Sequence, residues 1–132
     1  MKRGFVIICA RSGSKGIKNK NLKKIGKLSL VERSIKIAKK LKNIKKIIVS
    51  TDSIKIANKA KKLGVLVPGL RPRYLSKDKT PEINVWKYII KLLRENKNYK
   101  FDIKKDYLVS LSPTSPLRSL EDVKNGIKNF LK

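Results

Sequence analysis

Phe5-Val6-Ile7-Ile8-Cys9-Ala10-Arg11-Ser12-Gly13-Ser14-Lys15-Gly16 sets the terms for the whole chain. Its first five residues are an unbroken apolar run, short and β-rich, as expected of a strand covered on both faces. At Ala10 the chemistry changes abruptly. A polar stretch rich in Gly, Ser, Lys and Asn runs to about Leu28, so a buried strand hands over to a long loop. Met1-Lys2-Arg3 ahead of apolar residues briefly resembles a leader peptide. The apolar stretch ends at Ala10 against Arg11, however, and a strand is the better reading. No apolar run approaches the roughly 20 residues that cross a bilayer, and no membrane association is expected.

Beyond the loop, strand-like and helix-like segments alternate. Ser29-Leu30-Val31-Glu32 reads as a capping box opening a helix with Leu30, Ile35, Ala38 and Leu41 on one face. Lys46-Ile47-Ile48-Val49-Ser50 is a second buried strand. Asp52 or Ser53 caps the next helix, which turns Ile56, Ala57, Ala60 and Leu63 inward and stops at Gly64. Val65-Leu66-Val67 reads as a third strand ended by Pro68. Thr80-Pro81 supplies an N-cap with Pro at the first helical position, and Trp86, Ile89, Ile90 and Leu93 continue that helix to about Asn96. Tyr107–Leu111 is the fourth strand, and Ser119-Leu120-Glu121-Asp122 opens the last helix. Strict alternation implies a parallel sheet with right-handed crossovers.

At 132 residues the chain fits one domain, residues 1–132. It has no histidine and one cysteine, Cys9. That excludes an intrachain disulfide framework, fits a reducing cytoplasm, and removes zinc sites and Ser-His or Cys-His nucleophiles. Any catalysis must run on carboxylates, Lys, Arg, backbone amides and a hard metal. Lys and Arg number 35 against 9 Asp and Glu, a formal net charge of +26. Such a charge attracts nucleic acid non-specifically. The excess is mostly Lys spread along the chain with much Ile and Asn, however, which is a compositional bias and not a clustered Arg-aromatic surface. A polyanionic small substrate suits it better.

The polar loops all follow strands, so in a parallel sheet they converge on the rim at the strands' carboxyl ends. The first, Ala10 to Leu28, has the composition of a polyphosphate site: glycines permit close backbone approach, serines donate, and Arg11, Lys15 and Lys20 bring charge. It is neither a Walker A loop nor a Gly-x-Gly-x-x-Gly dinucleotide loop, because Lys15 precedes Gly16 and no glycine stands two residues before Gly13.

Ala10 through Asn21 resembles the signature loop of the acylneuraminate cytidylyltransferases, the enzymes of CMP-sialic and CMP-legionaminic acid synthesis, written Ala-Arg-x-x-Ser-Lys-Gly-x-x-x-Lys-Asn. Leu111-Ser112-Pro113-Thr114-Ser115-Pro116-Leu117-Arg118 is similar to a second motif of that family, Gln-Pro-Thr-Ser-Pro-Leu-Arg. The resemblance implies a Rossmann-like, GT-A-like nucleotidyltransferase with a mostly parallel sheet in three α/β/α layers, incomplete at its C-terminus. It implies that CTP phosphates are held by Arg11 and Lys20 as the principal, catalytic cations, joined by Ser14 and Lys15, with Asn21 near the ribose. Leu70-Arg71-Pro72 resembles the family's Arg-Pro segment, which places Arg71 beside the cytosine. Ser112, Thr114, Ser115 and Arg118 fall where the family binds its acceptor sugar. Ser112 replaces a Gln there, a shorter group that reaches the acceptor less far.

Two positions stay open. Asp52 is either a helix cap or a ligand contact. Glu82 inherits no ribose contact, because Lys79-Thr80-Pro81-Glu82 departs from the family's Ser-rich stretch. The family's second half carries metal-binding Asp residues and a dimerisation element, so Mg²⁺ and homodimerisation are expected of a full-length form. The chain is then a fragment, a truncated product or a short member. The expected reaction joins CTP and a nine-carbon acidic α-keto sugar into the CMP-sugar and pyrophosphate. The alternatives are a deoxy-octulosonate or other sugar-acid cytidylyltransferase, an inactive CTP-binding fragment, and a basic nucleic-acid-binding remnant.

Overall fold

Phe5, Val6, Ile7 and Ile8 are all fully buried, and they form the middle of the central strand, β1 (Gly4–Cys9). The computed structural model describes residues 3–10, 24–25, 28–75, 81–96, 99–102, 104–111 and 120–132. Their remaining elements are the short strands β2 (Lys24–Ile25) and β3 (Leu28–Ser29), helix α1 (Leu30–Lys39), strand β4 (Ile44–Ser50), helix α2 (Ile54–Lys62), one 3-10 turn (Arg73–Leu75), helix α3 (Glu82–Glu95), strand β5 (Tyr107–Leu111) and helix α4 (Leu120–Phe130).

The main sheet has the order β4-β1-β5 with every pair parallel. Ile8 stands opposite Val49 on one side and Leu111 on the other. Leu66 and Leu70 extend the sheet beyond β4 through single bridges to Ile48 and Thr51. Successive β1 side chains point to opposite faces. Val6, Ile8 and Ala10 therefore join Val31, Ile35, Ala38, Ile56, Ala60 and Val123 in the core beneath α1, α2 and α4. Phe5 and Ile7 join Ile48, Leu75, Val85, Ile89 and Leu93 beneath α3. Helices thus cover both faces, giving the α/β/α sandwich that strand–helix alternation implies. Gly4 sits where the two neighbouring strands crowd in: a Cβ there would lie 2.7 Å from Ile44 Cδ1 and 2.9 Å from the Tyr107 ring.

The local signals act as expected at α1. Ser29 Oγ accepts from Glu32 N at 3.3 Å and the Ser29 amide donates to Glu32 Oε1, a complete capping box. Burial pushes the Glu32 carboxyl upward, but the Ser29 bonds and the Lys59 ammonium at 3.5 Å outweigh it and hold it below the usual range. Elsewhere the structure departs from the sequence reading. The stretch from Ala10 to Leu28 is not loop throughout, because β2 pairs with β3 in antiparallel fashion near its end. Val65–Val67 is not a full strand. Leu66 alone completes its ladder, donating to Ile47 O and accepting from Val49 N, since Pro68 has no N–H and Gly69 turns at φ +116°. The cap of α2 is Ser53, whose hydroxyl accepts from Ile56 N. Pro81 occupies the cap position of α3 instead of its first turn, without a side-chain cap.

Candidate functional site at the carboxyl rim

Following the chain, β4 lies on one side of β1 and Leu66 beyond β4, whereas β5 lies on the other side of β1. The order therefore reverses between β1 and β5. In open parallel sheets that reversal, at the carboxyl ends, opens the crevice where ligands bind. The two strands leave it at Ala10 and Leu111, immediately before residues 11–23 and 112–119. Arg11, Ser14, Lys15, Lys20 and Asn21 lie in the first of those segments and Ser112, Thr114, Ser115 and Arg118 in the second, all outside the described residues. The described backbone fixes only where their segments start.

Arg71 is described fully. It is 6% exposed, an unusual depth for a group that stays charged at any physiological pH. Burying a guanidinium is costly unless its N–H groups find acceptors, and the fold supplies them. Nη2 donates to Ser50 O at 2.7 Å, Nε to Ser50 Oγ at 3.2 Å and Nη1 to Leu75 O at 3.3 Å. The Arg71 amide also donates to Thr51 O at 2.7 Å. Ser50 O in turn accepts from Ala10 N at 3.0 Å. One carbonyl at the end of β4 thus ties the exit of β1 to Arg71 and, through it, to the 3-10 turn. The result is a fixed positive charge built into the rim wall on the β4 side.

Beside it, Thr51 is fully buried, and its Oγ1 accepts from Ser53 N at 3.0 Å. Ser53 caps α2, so Asp52 is not the cap, and the carboxylate stands half-buried at the rim. The Ser50-Thr51 pair escaped the sequence reading as site residues. The available signal was two hydroxyl residues closing an apolar strand that ends on the ligand side. Among the described residues no group of three His, Cys, Asp or Glu could hold a metal ion. The described residues therefore do not by themselves assemble a carboxylate set for Mg²⁺. Among the described residues no helix is long and apolar enough to cross a membrane.

Comparison with known proteins adds a family, two relatives and two solved structures. A family model described as cytidylyltransferase matches residues 5–132. The post-translational flagellin modification protein B of Campylobacter coli is 41% identical over 123 residues, covering 93% of this chain and 51% of that protein. The CMP-N,N'-diacetyllegionaminic acid synthase of Campylobacter jejuni is 40% identical over 109 residues, covering 83% of this chain and 45% of that protein. Among solved structures, a CMP:2-keto-3-deoxy-manno-octonic acid synthetase complexed with CTP superposes with a TM-score of 0.74 at 15% identity, over 98% of this chain and 47% of that one. A cytidylyltransferase from Leptospira borgpetersenii does so at 0.65 with 24% identity, over 99% and 50%. The structural likenesses establish the nucleotidyltransferase fold. The chain spans about half the length of the proteins it matches.

Proposed function

The chain belongs to the cytidylyltransferase family, and on that footing we propose that it forms the CTP-binding half of an enzyme that activates an acidic nine-carbon α-keto sugar of the sialic or legionaminic type. The observation that carries this reading is the roughly 40% identity to a CMP-N,N'-diacetyllegionaminic acid synthase, with the strand ends leading both signature loops to one crevice. The likeness to the octonic acid synthetase is one of fold only, at 15% identity. It gives an octulosonate acceptor no comparable support.

In the proposed reaction the anomeric hydroxyl of the sugar attacks the α-phosphorus of CTP and gives up its proton to solvent. A new P–O bond forms, the bond to the bridging oxygen breaks, and pyrophosphate leaves with its added charge. Arg11 and Lys20 hold the phosphate tail and neutralise that charge, assisted by Ser14 and Lys15, and Asn21 meets the ribose. Arg71 supports cytosine recognition from the β4 side of the rim, where its bonds to Ser50 and Leu75 hold the guanidinium still. Ser112, Thr114, Ser115 and Arg118 face the acceptor. Mg²⁺ chemistry has no assembled carboxylate set among the described residues, and no step here passes through it.

Calorimetry on Arg11→Ala and Lys20→Ala tests the reading. Each loses a charge-assisted contact worth about 2 kcal/mol, so each weakens CTP binding roughly thirtyfold, with melting unchanged in the absence of nucleotide. Unchanged CTP affinity in both variants removes the phosphate-loop assignment. ATP serves as the competitor: equal protection from melting by ATP and CTP overturns cytosine selectivity.

A further inference from the structure

Arg71 meets one residue twice. Ser50, only 3% exposed at the end of β4, accepts from Nε on its hydroxyl at 3.2 Å and from Nη2 on its carbonyl at 2.7 Å. Those two nitrogens form the side-on edge of the guanidinium, so Ser50 holds that edge as a carboxylate would, but with neutral oxygens. Leu75 O takes Nη1 at 3.3 Å. A planar fork held at all three nitrogens has a fixed plane and a fixed direction.

The residue that holds it is itself anchored. Ser50 stands opposite Cys9 in the β1–β4 ladder, and its carbonyl also accepts from Ala10 N at 3.0 Å. The Arg71 amide donates to Thr51 O at 2.7 Å, and Thr51 is fully buried. Clamp and guanidinium thus belong to the end of the sheet and do not adjust freely to a ligand. Such rigidity has a chemical consequence beside a pyrimidine, because a guanidinium only donates. Cytosine offers two adjacent acceptors, O2 and N3, whereas uracil offers O2 and carries a proton on N3. A fixed guanidinium that suits cytosine sets N–H against N–H in uracil and leaves both unpaired. A mobile one retreats to O2 alone and takes either base.

Resting on the proposed function, with Arg71 as the base contact, we infer that Ser50 is a positioning residue that sets the selectivity for cytosine over uracil. It acts through Arg71 and not by contact with the nucleotide. Ser50→Ala keeps the carbonyl bond to Nη2 and removes the hydroxyl, so the buried Nε–H loses that acceptor and the fork turns to find another. The backbone bond from Ala10 N to Ser50 O stays in place, so the start of the phosphate loop keeps its anchor.

Calorimetry with CTP, UTP and inorganic tripolyphosphate on the whole chain is the test. The parent chain should bind CTP at least about tenfold more tightly than UTP. Ser50→Ala should reduce that ratio to about threefold or less, chiefly by weakening CTP, with tripolyphosphate affinity unchanged. Ser50→Thr, which keeps the hydroxyl, should hold the parent ratio. A merely structural role lowers the melting temperature and the affinity for all three ligands together and leaves the ratio where it was, and that result overturns the proposal. So does a parent-like ratio in Ser50→Ala at unchanged affinity, a loss of selectivity in Ser50→Thr equal to that in Ser50→Ala, or a parent chain that binds CTP and UTP alike. The two readings fail differently. No CTP binding by the parent chain removes the proposed function and this role with it, whereas selective CTP binding that Ser50→Ala leaves intact removes the role of Ser50 alone.

Discussion

The two flanks of β1 are built from the same kinds of residue and end in opposite conditions. On the β4 flank the chain supplies its own neighbours. Leu66 and Leu70 bridge to β4, α2 buries Ile56, Ala57 and Ala60 against it, and Arg71 ties the strand end to the following turn. On the β5 flank β1 is the one partner strand among the described residues, and α4 buries Val123 alone. Apolar composition therefore does not tell how much stability a helix contributes. What matters is whether both sides of its stripe find a surface, because the gain scales with the area removed from water.

That contrast breaks first on paired truncations. Ile56→Ala removes a fully buried side chain on the β4 flank and should cost about 2–5 kcal/mol by denaturant melting. Ile127→Ala, on the β5 flank, should cost no more than about half as much, because the groove it lines between β5 and α4 is already open. Equal losses would mean that the two flanks are equally well packed. A smaller effect is expected at the rim. Arg71→Ala leaves Ser50 O, Ser50 Oγ and Leu75 O without the guanidinium and should destabilise by about 2–3 kcal/mol. Arg71→Lys, which keeps the charge and loses the fork, should recover only part of that. Smallest is Ser29→Ala, at about 1 kcal/mol for the lost cap. It also sharpens a pH effect. The Glu32 carboxyl is held below its usual range, so its stabilisation is present above about pH 4.5 and fades as pH falls through the lowered value. Without the Ser29 hydroxyl the carboxyl rises toward the ordinary range, and the acid-side loss of stability becomes shallower.

How legible each feature was in the sequence follows the range of the forces that make it. β5 from Tyr107 to Leu111, the Ser29–Glu32 box and the inward positions of α1 all follow from neighbours within four residues. The reading failed where a tertiary choice decided between local equals. Asp52 and Ser53 are both good caps, and Ser53 takes the role while its amide is held by Thr51 Oγ1. β2 and β3, at two residues each, are too short to show any periodicity. The burial of Arg71 was invisible, since nothing in Leu-Arg-Pro announces that two of its three side-chain bonds reach twenty-odd positions upstream, to Ser50. At the rim itself, topology places the starting points of both signature loops, and Arg71 is the expected site residue whose geometry the described residues include.

The central strand has a consequence for the order in which the molecule is made. β1 is synthesised well before residues 107–111, with which it forms one of its two ladders. Until those residues leave the ribosome, four fully apolar side chains in a row have a partner on one side only. Contacts so distant along the chain form slowly and leave a sticky strand waiting meanwhile. The abundant lysines then act in the nascent chain as well as in the finished one: like charges spread along the polypeptide hold emerging copies apart while β1 waits for β5.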